Sequence, residues 1–203
     1  MKAEQFIAPF FPELIWRKSP DNRTVYLTFD DGPTPGVTER VLELLEQYRA
    51  KATFFVLGKQ VQQAPELFAR IQKGGHTVGN HTMTHRNGWK TDLNTYIDDI
   101  AQAAEWIPSK LYRPPYGKIT PKQIKAVKRH YQIVMWDVLT RDYKPQLNIP
   151  KAANRICKSI RPGSILVFHD SKKAENQLFP LLKATLEFCR QSGYAMQALE
   201  DKG

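Results

Sequence analysis

Apolar residues along this chain follow two alternating rhythms. Short runs rich in Val, Ile, Phe and Tyr occur at VYLTF (25–29), ATFFV (52–56), HTVGN (76–80), KLYR (110–113), QIVMW (132–136) and SILVF (164–168), with a last one near Tyr194 to Met196. Runs of that length and type predict strands. Between them the spacing becomes helical. Val37, Val41, Leu44, Leu45 and Tyr48 recur on one face, as do Leu93, Ile97, Ile100, Ala104 and Ile107, and then Leu178, Leu182, Leu186 and Cys189. Pro65, Pro121 and Pro150 suit the first turn of three further helices, because the amide proton they lack has no partner there. Gly74-Gly75 ends the first of these three, and Pro162-Gly163 leads into the sixth strand.

About seven strands, most followed by a helix, imply a parallel sheet with right-handed crossovers. Such an α/β sheet is either open and doubly wound or closed into a barrel. No glycine-rich phosphate loop follows the first strand, which argues against a dinucleotide-binding fold. Repeats, low-complexity tracts and linkers are missing, so residues 1–203 are read as one domain with a Pro-rich lead-in over 1–23.

Composition narrows the function only slightly. The apolar fraction of 41% and charged fraction of 25% are ordinary for a globular chain. No apolar stretch is long enough to span a membrane. MKAEQFIAPFFPELIW is broken by Pro9 and Pro12 and lacks a small-residue cleavage site, so no signal peptide is read and the compartment stays open. The excess of 30 Lys plus Arg over 20 Asp plus Glu gives +10. That charge suits anionic polymers, nucleic acid among them, yet no nucleic-acid module accompanies it and none is expected as a partner. Lys118, Lys122, Lys125, Lys128 and Arg129 share helical spacing and read as one solvated face. Cys157 and Cys189 have neither metal spacing nor a disulfide framework.

The polar residues at strand ends carry more. Asp30-Asp31 follow the first strand, His81 the third, Asp137 the fifth and His169-Asp170 the sixth, while Arg113 closes the fourth. In a parallel sheet those ends share one face, where such folds place their chemistry. HTMTH (81–85) sets two histidines four apart, so that one helical turn aims both imidazoles at one point; two unrelated surface histidines are the plain alternative. No Glu follows His81, which excludes the HExxH protease motif. Two histidines and one aspartate leave coordination positions open and suit zinc best, with other divalent transition ions allowed. Adjacent carboxylates repel unless a cation, a proton or open water relieves them. A solvated turn would explain Asp30-Asp31, but so would a division in which Asp31 binds metal and Asp30 stays off it to do proton chemistry.

Five segments in order then resemble the motifs of the polysaccharide deacetylases with a NodB homology domain, carbohydrate esterase family four: TFDDGP (28–33), HTMTH (81–85), RPPYG (113–117), WDVLTRDY (136–143) and ILVFHD (165–170). The resemblance implies a deformed (β/α) barrel of about seven parallel strands. It implies Asp30 as general base, with Asp31, His81 and His85 as metal ligands and Arg113 holding Asp30. The third motif brings Pro115 and Tyr116 to the substrate, and the backbone N–H of Tyr116 to the oxyanion. His169 is the implied general acid and Asp142 its partner, with Asp137 a structural neighbour. Tyr143 stands where the family often has a tryptophan, Leu139 where it has an aspartate, and Val167 where a leucine commonly encloses the acetyl methyl. The implied activity is metal-dependent removal of N-acetyl groups from a GlcNAc-containing glycan, either peptidoglycan or a chitin-type oligomer, by a monomer. An O-acetyl (xylan) esterase and a silent glycan-binding domain are the alternatives.

Overall fold

The computed structural model describes residues 11–20 and 22–201. The first ten residues of the lead-in, which hold most of the segment considered as a signal peptide, lie outside the described residues. The elements run β1 (Leu14–Ile15), β2 (Thr24–Asp30), α1 (Thr38–Gln47), β3 (Ala52–Val56), α2 (Gly58–Gln63), α3 (Pro65–Lys73), β4 (Thr77–Asn80) and α4 (Leu93–Ala104). They continue with β5 (Leu111–Tyr112), α5 (Pro121–Val127), β6 (Gln132–Val134), β7 (Val138–Leu139), α6 (Ile149–Ser159), β8 (Ile165–His169), α7 (Glu175–Gln191) and β9 (Ala195–Met196).

The strands pair in parallel in the order β1-β6-β5-β4-β3-β2-β8-β7, with β9 beside the start of β2. β6 and β7 are nearly contiguous in the chain yet lie towards opposite ends of that order. The sheet therefore curls into a deformed barrel, with residues 132–139 reaching across its seam. β1 enters the seam beside β6, and Met135 N–H donates to the Ile15 carbonyl at 2.7 Å. Arg17 bridges Ser164, and Lys18 N–H reaches the Gly163 carbonyl at 2.9 Å. Part of the expected lead-in is thus a sheet strand. The run 132–136 ends as a strand at Val134, and α2 and β7 are elements that the apolar rhythm does not mark.

Side-chain parity along the strands divides the core. Val25, Leu27 and Phe29 of β2 face outward and pack, with Phe54, Val56, Leu166 and Phe168, beneath the helices. The even positions face the barrel interior, where Tyr26 joins Phe55, Leu111, Val134 and Ile165. Thr28 and Asp30 continue that inward row, so the strand's own alternation carries a carboxylate to the top of the barrel. At the start of α5, Thr120 and Gln123 form a reciprocal capping box.

Candidate active site

Asp30, the last residue of β2, is in register with His169, the last residue of β8. Beneath them the guanidinium of Arg113 is fully buried. Its Nη1 donates to Asp30 Oδ1 at 2.7 Å and Thr28 Oγ1 at 2.6 Å; Nε donates to the Val134 carbonyl and Nη2 to that of Met135. The group also lies 4.1 Å from the centre of the Phe55 ring. Such a cation is costly to bury unless its donors are filled, and here four acceptors and an aromatic face fill them. Arg113 therefore fixes one oxygen of Asp30.

Strand alternation alone would send Asp31 to the opposite face. Its backbone turns left-handed instead, at φ 82°, and the carboxylate returns to the same cleft. Asp31 Oδ1 lies 3.2 Å from His85 Nε2 and 3.8 Å from His81 Nε2. That oxygen is buried and makes no hydrogen bond. Ligating atoms of Asp31, His81 and His85 all fall within 4.8 Å of one another. His81 Nδ1 is 2.7 Å from the Arg113 carbonyl, which can only accept, so Nδ1 carries the proton and the Nε2 lone pair faces Asp31. His85 Nδ1 meets the Tyr116 hydroxyl at 3.0 Å. Histidine ligands are commonly held this way through their second nitrogen. Burial, set against the attraction of Asp30, lowers His81 to about 4, so its imidazole is neutral at pH 7, the form that ligates. Burial raises the Asp31 carboxyl, but His85, His81 and His169 outweigh it and hold the group at about 2. A buried oxygen without a donor, facing two imidazole nitrogens, fits a cation.

The histidines do not meet through a helical turn. Residues 81–85 form an irregular loop with positive φ at Thr82 (70°) and His85 (61°). Asn80 Oδ1 accepts from Thr82 N–H at 2.8 Å. Asp99 on α4 accepts from the N–H groups of Met83 and Thr84, from the Thr84 hydroxyl at 2.7 Å and from Arg86 Nε. Asn80 and Asp99 are thus residues the sequence reading missed. Asp99 left a trace, a carboxylate immediately beside Ile100 on the apolar stripe of α4.

Across the cleft, His169 Nδ1 is 2.7 Å from Asp142 Oδ1, and Asp142 Oδ2 accepts the backbone N–H of His169 at 2.7 Å. Burial alone would lower the His169 pKa. The hydrogen bond and charge of Asp142, with the charges of Asp30 and Asp31, reverse this and raise it to about 9. Tyr143 packs edge-on to the imidazole.

The cleft over these groups has a volume of about 700 Å³, and Trp136, Leu139, Val167 and Tyr143 give it an apolar wall. Tyr116, also at φ 61° and largely exposed, stands at its rim; Pro115 is buried behind it in a 3-10 turn. Two strand-end aspartates stay out of the cleft. Asp137 accepts from the Ser164 hydroxyl and Ile165 N–H at the start of β8, because the chain runs on into β7 and no strand finishes there. Asp170, which burial pushes up to about 8, ties Gly32 N–H to the Thr38 hydroxyl. A Cβ on Gly32 would stand 2.1 Å from Asp170 Oδ2, so only glycine fits that turn. Lys118 also departs from expectation: Lys122, Lys125, Lys128 and Arg129 form an exposed face, but Lys118 lines the cleft.

A curled parallel α/β barrel carrying an Asp-His-His set beside a carboxylate and a paired histidine defines a metal-dependent hydrolase. Residues 17–134 match the family model "Polysaccharide deacetylase", and the chain belongs to that family as a hydrolase acting on carbon–nitrogen bonds; Asp31, His81 and His85 form its metal-binding triad. The chain is 33% identical over 187 residues to a peptidoglycan-N-acetylglucosamine deacetylase of Bacillus cereus, spanning 88% of this chain and 87% of the relative. It is 38% identical over 156 residues to a chitooligosaccharide deacetylase of a Bradyrhizobium species, spanning 73% and 71%. Among solved structures it superposes on the Bc1960 peptidoglycan N-acetylglucosamine deacetylase with a TM-score of 0.87 at 29% identity, over 96% of this chain and 94% of that one. Among the described residues no helix is long and apolar enough to cross a membrane.

Proposed function

We propose that this chain removes N-acetyl groups from a GlcNAc-containing glycan, peptidoglycan or a chitin-type oligomer, with zinc as its metal. The pairing of His169 with buried Asp142 across the cleft from the triad carries the reading. Binding alone needs no proton donor there, and ester cleavage scarcely needs one, whereas an amide's amine is a poor leaving group until protonated.

Two imidazoles and a carboxylate are a ligand set that suits zinc. A cation held there supplies Lewis acidity towards a water and the amide carbonyl. The remaining work falls to the protein. Arg113 holds one oxygen of Asp30, and the carboxylate takes the proton of the attacking water as the oxygen–carbon bond forms. The backbone N–H of Tyr116 donates to the oxyanion that develops on the carbonyl oxygen. Asp142 orients the protonated imidazole of His169, which gives its proton to the nitrogen as the carbon–nitrogen bond breaks. Acetate and a free amine result. The apolar wall of Leu139, Tyr143, Trp136 and Val167 receives the acetyl methyl and keeps bulk water from the reacting carbon.

The test is acetate release by zinc-loaded protein from N-acetylated chito-oligomers, peptidoglycan fragments and acetylated xylan. Release from the N-acetylated glycans is expected. Acetate from xylan alone would overturn the reading in favour of an esterase.

A further inference from the structure

The charges around the cleft are unbalanced in a way the deacetylation chemistry does not use. Its acidic lining consists of Asp30 and Asp31. The first is held by Arg113 and the second belongs to the metal triad. The remaining charged lining is cationic: Lys118 on the Tyr116 side, Lys172 and Lys173 on the His169 side. Lys172 has a carboxylate partner, Glu175 Oε2 at 3.4 Å. Lys118 and Lys173 form no ion pair among the described residues. Each is seated instead near an aromatic ring. Lys118 Nζ lies 5.2 Å from the centre of the Trp89 ring, and Lys173 Nζ lies 5.8 Å from that of Tyr143. Trp89 itself is 66% exposed, with its indole N–H on the Ile119 carbonyl. A large apolar side chain left in water there serves to hold the lysine over the rim, since cation–π contact limits where a flexible ammonium points.

We propose that Lys118 and Lys173 are specificity-determining residues that read negative charge, so that the preferred substrate is an acidic glycan bearing carboxylates on sugars next to the N-acetylated one. This rests on the deacetylase reading and narrows it. Neutral chitin-type chains offer the two unpaired ammonium groups hydroxyl and amide oxygens but no countercharge. A carboxylate-bearing chain satisfies both, and the net charge of +10 draws it to the protein.

The test compares one tetrasaccharide of alternating N-acetylglucosamine and N-acetylmuramic acid with the same molecule whose lactyl carboxylates have been converted to primary amides. Shape is then conserved and only charge differs. Zinc-loaded protein is expected to favour the acid in kcat/KM by roughly fivefold or more at low salt, each exposed ion pair contributing up to about fivefold. The preference should sit mainly in KM and fade as salt rises to about 0.5 M. In the Lys118→Met, Lys173→Met double variant the ratio of the two kcat/KM values should fall towards one. The Lys→Arg pair should retain it. Equal kcat/KM for acid and amide in the unsubstituted protein, or a preference that survives the double Met variant, overturns the inference while leaving deacetylation intact. No acetate from either tetrasaccharide or from chitotetraose would instead sink the deacetylase reading itself.

Discussion

His169 shows how much a single residue's surroundings decide. Burial works against its protonated form and Asp142 works for it, and the second effect is larger, raising the pKa to about 9. A raised histidine pKa means that the acid is present below that value and is lost as pH rises through it. The alkaline limb of kcat is therefore expected near 9. Asp142→Asn removes the chief favourable partner, and the limb should fall to about 6.5 or lower, since burial then opposes protonation with less to offset it. A cation at the triad offsets the charge of Asp31 but leaves that of Asp142. At pH 8 such a shift lowers the protonated fraction roughly thirtyfold, and kcat on an N-acetyl glycan should follow. An aryl acetate ester, whose leaving group scarcely needs a proton, should lose far less. A pH–rate profile of the variant on both substrates checks this, and an alkaline limb that stays near 9 would take Asp142 out of the mechanism.

At the level of elements, the segment 80–86 is where sequence and structure part most clearly. The spacing of His81 and His85 was readable, but the geometry that joins them was not. A helical turn and an irregular loop can both bring residues four apart together, and the choice here is made by Asn80 and by Asp99, thirteen or more residues from most of its partners. Asp31 was equally legible as a residue and illegible as a direction, because its left-handed backbone reverses the parity of β2. The long apolar strands were legible because burial on both faces demands continuous apolar runs. β1 and β7 have two residues each and exist only because the seam of the barrel supplies partners. Asp99→Ala should test the support of the loop. It strands the Thr84 N–H, whereas that of Met83 keeps the Asp99 backbone carbonyl at 3.0 Å. The loss should cost about 1–3 kcal/mol of stability, and metal affinity should fall roughly 10–100-fold, as when other supporting partners of metal ligands are removed. A denaturant midpoint and a titration against a competing chelator read the two effects. Unchanged metal affinity in a folded variant would show that the loop holds its shape without Asp99.

For the whole molecule, the triad joins the end of β2 to the loop after β4, so a metal there links the two strands that flank β3 and segments some fifty residues apart in the chain. One divalent ion per chain is expected by elemental analysis. Its removal should lower stability, by roughly 2.7 kcal/mol where the free metal stands at a hundred times Kd. That corresponds to about 5–10 °C in Tm for a chain of this size, read by thermal unfolding with and without chelator; an identical Tm would argue against a metal held by the folded barrel. The central claim is the division of labour between two adjacent aspartates, and metal content measured alongside acetate release in Asp30→Asn and Asp31→Asn tests it most directly. Asp30→Asn should keep its full metal content while turnover falls on the order of 10²–10⁴-fold, the usual weight of a general base, and Asp31→Asn should lose both metal and activity. A metal-free Asp30→Asn protein beside a metal-replete Asp31→Asn protein would contradict the account, because the two carboxylates would then have each other's roles.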